Sequence, residues 1–290
     1  MLIGGSGGGK RRDAPAAIAF EERWRPVAHW RRWSGRVRFD FEAAALPFPG
    51  PSDTGLVVSL RVTATNTADS PLSADLTLAL ALQDSAPPFV AFDAPDTAAE
   101  LRWGPDQTSR PIHAYLDRPG DRADGAAAGG VTRREHWELA ARASRSARFL
   151  LPAYPARSTD LELWARVPHD RRAGEVRRFW AESLRRGTRF ALGDPEVEHA
   201  LNAARVLLLG CRERRGGEWV PIGAPLHYRD VWLRDGARLV AALAVSGHTA
   251  EARDLAGGLT LFQWPQGAFV SQRGQPDGTG QALWAFEQAW

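Results

Sequence analysis

The hydrophobic period of this chain changes once, near Pro168, and that change limits the available folds more than any other feature. Before it, apolar residues recur at every second position. In GLVVSLRVTATNT (55 to 67), Leu56, Val58, Leu60 and Val62 fall on one side, and Ser59, Arg61, Thr63 and Thr65 on the other. DLTLALALQ (75 to 83) repeats this with Leu76, Leu78, Leu80 and Leu82, and RVRFDFEA (36 to 43) and LELWARV (161 to 167) do so again. Alternation with one polar face predicts antiparallel sheets packed on a single core. The turn-rich stretches NTADSPLSA and LPFPGPSD supply its connections.

After Pro168 the period is helical. GDPEVEHALNAARVLLLGCRER marks its own start, with Asp194 as cap, Pro195 in first position and Glu196 and Glu198 in the first turn. Val197, Leu201, Ala204 and Leu208 recur at helical spacing. A second helix is expected from about Asp230 to Ser246, closed by Gly247. A third begins at the cap Thr249, and TGQALWAFEQAW forms a fourth. AGEVRRFWAESLRRG (173 to 187) reads as a helical joint. The expected organisation is a flexible leader over 1–16, a β-sandwich over 17–170, a linker over 171–192 and a helical array over 193–290.

Composition removes several function classes. The 37 basic residues, of which only Lys10 is a lysine, are offset by 34 acidic ones and spread along the chain, so no nucleic-acid footprint is expected. No apolar run approaches the roughly 18 residues that span a bilayer, and the N-terminus lacks the apolar core of a secretory signal. A cytoplasmic protein without a membrane partner is expected. GGSGGGK at the N-terminus imitates a phosphate loop, but Arg11 follows where a hydroxyl is needed and no strand precedes it. The single cysteine, Cys211, reads as a buried inert thiol. The seven histidines never cluster at metal-ligand spacing, and His136-x-Glu138 lacks the cysteine pair of a zinc deaminase. No metal and no cofactor are expected. WRPVAHWRRW (24 to 33) interleaves Arg with Trp and is expected to pack at the sheet edge or stack as cation–π pairs.

In a row of antiparallel helix hairpins, every second helix starts on the same face. The helices expected near Asp230 and Thr279 share one, and each is entered by an irregular aromatic- and Gly/Pro-rich loop. That face collects Trp219, His227, Tyr228, Trp232, Arg234, Asp235, Trp264, Asp277, Gln281 and Trp284. Aromatic faces stack on the C–H faces of a pyranose, while carboxylates and guanidinium groups bind its hydroxyls. The pair Arg229-Asp230 reads instead as structural, with Asp230 four residues before Arg234 and able to pair along a helix.

Two segments carry a resemblance. Trp232-Leu233-Arg234-Asp235, followed by Gln275-Pro276-Asp277-Gly278-Thr279-Gly280-Gln281-Ala282-Leu283-Trp284, resembles the six-hairpin glycosidases in their glucoamylase-like and debranching-enzyme-like branch. The resemblance implies a β-supersandwich followed by the first hairpins of an (α/α)6 toroid. It implies a glycoside hydrolase, inverting, acting on an α-glucan or oligosaccharide. Tyr228, Trp232, Arg234, Asp235, Asp277, Gln281 and Trp284 would be substrate-binding, with Arg234 and Asp235 gripping sugar hydroxyls and Trp232 and Trp284 forming walls. Such a toroid needs twelve helices, and inversion needs two carboxyl groups about 6.5 to 9.5 Å apart. No matched catalytic pair is present, so the general acid and base are expected downstream of Trp290, with this chain an inactive fragment. A non-catalytic carbohydrate-binding or docking sandwich stays open as the second class. An exposed aromatic strip on the sheet, rather than at the helix mouths, would favour it.

Overall fold

A computed structural model describes residues 2–4, 17–47, 56–81, 101–103, 112–116, 130–152, 166–224, 229–272 and 274–290. The chain divides into two compact units within one helix, between Arg178 and Phe179, and the short segment Glu22–Trp24 belongs with the second unit.

The first unit is built from β1 (Leu2–Gly4), β2 (Ala19–Glu21), β3 (Arg25–Ser34), β4 (Val37–Pro47), β5 (Leu56–Asn66), β6 (Leu72–Ala81), β7 (Leu101–Trp103), β8 (Ile112–Leu116), β9 (Gly130–Leu139) and β10 (Ser144–Pro152). Seven strands form one sheet in the order β2-β3-β4-β5-β10-β8-β7, and β1-β6-β9 form another. Pairing is antiparallel except between β7 and β8. The alternation seen in the sequence buries Phe39 and Phe41 of β4 and Leu60, Val62 and Ala64 of β5. These meet Leu76 and Leu78 of β6 and Trp137 and Leu139 of β9 in one core, so the two sheets face each other. Leu2–Gly4, expected to lie in a flexible leader, pairs with Thr77–Ala79 of β6. The strand expected at 161–167 falls largely outside the described residues.

The aromatic-rich segment at β3 departs from expectation in a useful way. Trp30 enters the core and stacks on Phe41, centroids 4.9 Å apart, whereas Trp33 is 52% exposed. Asn66, at the end of β5, is wholly buried and fully used. Its amide donates to the carbonyls of Ser70, Leu139 and Ala140, and its side-chain oxygen accepts from the Ala68 amide at 2.8 Å.

Helix α1 (His169–Arg185) begins in the first unit. His169 reaches the outer face of the large sheet, its Nδ1 2.9 Å from Ser59 Oγ and its Nε2 3.2 Å from Glu42 Oε1. That contact explains why Ser59, expected on the polar face, is buried. Arg61 and Arg177 also donate to the Glu42 carboxylate. The hydrogen bond from His169 holds the Glu42 carboxyl down, from 4.5 to about 2, helped by Arg61 and opposed by burial. Because the folded value lies below the unfolded one, this stabilisation is complete above about pH 4.5 and is lost as pH falls through about 2. Glu42→Gln should therefore flatten that part of an acid-unfolding curve followed by circular dichroism.

The second unit contains α2 (Pro195–Gly210), the hairpin β11 (Arg212–Arg215) and β12 (Glu218–Pro221), α3 (Leu233–Val245), α4 (Thr249–Gly258), a short 3-10 turn Leu259–Phe262, and α5 (Gly278–Ala289). Asp194 caps α2 through the Glu196 amide, as its position predicts. The buried stripe of α2 differs from the one expected. Val197 is 44% exposed, while Arg205 and Leu209 are buried. Arg205 turns inward because the Leu184 carbonyl accepts from it at 2.6 Å, and it stands 3.2 Å from His248 Nε2. Helix α4 starts at Thr249 with His248, not Thr249, in the capping position. Cys211 is buried and its thiol is pushed up by desolvation, which makes it a poor nucleophile.

His248, 1% exposed, is held below its ordinary value by burial and by Arg205 beside it, with Glu251 opposing and Arg186 and Arg212 adding to the depression. A histidine depressed in the fold binds its proton more readily when unfolded. Stability should be complete above about pH 6.5 and should fall as the pH drops below it. His248→Gln should remove that slope, measured as unfolding midpoint against pH.

Candidate functional site

Helices α3 and α5 start side by side, and close packing brings them together. A Cβ added at Gly278, the first residue of α5, would stand 2.5 Å from the Phe269 carbonyl oxygen and 2.8 Å from Leu233 Cδ1. Leu233 is the first residue of α3. The Phe269 amide also donates to Thr279 Oγ1 at 3.0 Å, which ties the preceding loop to the helix it introduces.

At this junction Arg234 lies between two carboxylates from the two segments. Its guanidinium is 3.9 Å from Asp235 Oδ2 and 3.8 Å from Asp277 Oδ2. The three side chains are between 40 and 47% exposed. Both distances exceed hydrogen-bond range, and a hydroxyl bonded to both partners suits such a gap. Half-exposed pairs of this kind contribute about 0 to 1 kcal/mol, so the trio is weak as a stabilising device. Asp277 occupies the capping position of α5, yet its side chain makes no cap bond. An Asp there normally accepts from its own helix amides. Here its carboxylate is turned to Arg234 instead.

The other expected residues divide. Trp232 caps α3 with an extended backbone and is half-buried, and Gln281 is half-buried one turn into α5. Asp277, Gln281 and Trp284 recur at helical spacing on one side of α5, and Trp284 is 40% exposed. Trp264 opens a small turn closed by its amide donating to the Ala268 carbonyl at 2.8 Å, and is 51% exposed. The Trp219 ring carries the Arg212 and Arg214 guanidinium groups, at 5.1 and 5.0 Å from its centroid. His227 and Tyr228 lie outside the described residues.

Helix α3 begins at Leu233, three residues later than expected, so Asp230 stands ahead of the helix and no pair along a helix face forms with Arg234. Arg229 has a structural partner of another kind. Its guanidinium donates to Glu213 Oε2 at 3.0 and 2.7 Å, and Arg215 donates to its carbonyl. The hairpin β11–β12 that supplies these partners corrects two expectations: α2 stops at Gly210, so Arg212–Arg214 leave the expected helix for β11, and β12 lies in the stretch expected to be irregular loop. Its signal was present in Gly216-Gly217, both at positive φ, a pair that closes two-residue hairpins. Among the described residues no group of His, Cys, Asp or Glu could hold a metal ion, and no helix is long and apolar enough to cross a membrane.

Two facing sheets share one core, and helices in hairpins follow them in the chain. Among solved structures, the chain is similar to one described as "Putative kojibiose phosphorylase from human microbiome", with a TM-score of 0.51 and 9% identity over 79% of this chain. At that identity the likeness is one of fold. The chain spans 33% of that structure's length. No protein-family model and no curated protein matches it.

Proposed function

We propose that this chain carries part of the sugar pocket of a six-hairpin glycoside hydrolase acting on an α-glucan or oligosaccharide by inversion. The observation that carries the reading is Arg234 held between Asp235 and Asp277, since it joins the two motif segments at one point. A sugar hydroxyl there donates to a carboxylate and accepts from the guanidinium, while Trp232, Trp264 and Trp284 offer faces for the ring. The general acid and base are assigned to residues beyond these 290, on further helices of a toroid.

The test is a titration of tryptophan fluorescence with methyl α-glucoside, maltose and kojibiose. Saturable change at about millimolar concentration, worth about 4 kcal/mol, is expected from half a pocket. No change with any of the three would end the reading. Phosphorolysis is a second reading, favoured by the name given to the fold neighbour. Sugar release by a protein with the complete toroid, if it required inorganic phosphate, would select phosphorolysis.

A further inference from the structure

The outer face of the seven-stranded sheet carries a row of groups that the helix junction does not use. Strand pairing aligns Trp33 with Arg38, Arg38 with Thr65, and Thr65 with Ser144. Beside it, Arg31, Asp40, Thr63 and Ser146 align in the same way. At about 4.8 Å per strand, Trp33 and Ser144 stand about 14 Å apart across four strands. The next two rows on the other side, at Arg61 and then Ser59, are occupied by α1, through Asp170 on Arg61 and His169 on Ser59. The first two rows are open: Trp33 is 52% exposed and Ser144 and Ser146 are exposed.

The polar groups are fixed by one another and still have capacity left. Arg31 and Arg38 each donate through Nε to one oxygen of Asp40, at 2.7 and 2.6 Å. Among the described residues their terminal nitrogens have no protein acceptor. Thr63 and Ser146 share a hydrogen bond of 2.8 Å, and Thr65 and Ser144 one of 2.9 Å. Each hydroxyl pair spends one proton on its own bond, which leaves one O–H to donate and lone pairs to accept.

We infer that this face is a second binding site, separate from the helix junction, for a neutral glycan chain lying across the strands. Trp33 stacks on one pyranose, and the hydroxyl pairs and guanidinium groups meet the hydroxyls of the following rings. A protein hot spot would want an enclosed apolar pocket around the tryptophan, and its row neighbours are Arg38, Thr65 and Ser144. A nucleic acid would want an unbroken basic stripe, and Asp40 sits between the two arginines.

The test is affinity electrophoresis through gels containing soluble amylose fragments, mixed-linkage β-glucan or β-1,3-glucan. Every arm carries Asp235→Asn, which silences the helix junction. Asp235→Asn alone should be retarded by at least one polymer. Adding Trp33→Ala should weaken that retardation at least about fivefold, while Trp33→Phe keeps most of it. Circular dichroism confirms that each variant is folded. No retardation by any polymer, or retardation unchanged by Trp33→Ala, overturns the inference. Binding of methyl α-glucoside to the unmodified protein reports separately on the helix junction, so either site can fail alone.

Discussion

Gly278→Ala will lower the thermal unfolding midpoint, whereas Gly280→Ala, two residues along the same helix, will raise it. On helix propensity alone both changes should help, by up to about 1 kcal/mol. The surroundings reverse the first. A Cβ at Gly278 meets the Phe269 carbonyl at 2.5 Å and Leu233 at 2.8 Å, while at Gly280 nothing lies within 4 Å. Forcing a methyl into a closed contact costs about 1 to 3 kcal/mol, and a backbone carbonyl gives way less easily than a side chain. The same change pushes the start of α5 away from α3, so it should also weaken sugar binding. Equal midpoint shifts for the two variants, read by far-ultraviolet circular dichroism, would mean that the helix starts are not closely packed.

The features legible in the sequence were those with local causes. Alternation along β4, β5 and β6 is a property of neighbouring residues, and so is the Asp194-Pro195 start of α2. The convergence of Arg234 with Asp277 was also legible, because helix hairpins return every second start to one face. What escaped depends on partners distant in the chain. Glu42 and His169 are 127 residues apart, and nothing near either one announces the other. Arg205 breaks the expected stripe of α2 because a carbonyl 21 residues earlier and His248, 43 residues later, provide an interior polar pocket. Helix α3 starts at Leu233 rather than Asp230, with Arg229 ahead of it tied to Glu213 of the β11–β12 hairpin, 16 residues earlier. Trp30 and Trp33 lie three apart on one strand and so face opposite ways. The sequence could not tell which one entered the core.

The second large effect belongs to the carboxylates at the junction. Asp235→Asn and Asp277→Asn should each weaken binding of an α-glucoside by at least about 1.5 to 3 kcal/mol, about ten- to a hundredfold in Kd, since each removes a charge-assisted acceptor. Their stability should change by no more than about 0.5 kcal/mol, because Asp235 is 47% and Asp277 40% exposed and both pairs are long. Loss of affinity without loss of stability separates a binding group from a structural one.

Asp230 provides the internal control, since it lies on the same segment but ahead of the helix. Titration calorimetry with maltose on Asp235→Asn, Asp277→Asn and Asp230→Asn therefore tests the helix-junction site most directly. Tenfold or greater weakening in the first two, with Asp230→Asn close to the unmodified protein, is the predicted result. Equal weakening in all three, or the greatest in Asp230→Asn, would contradict a sugar site centred on Arg234.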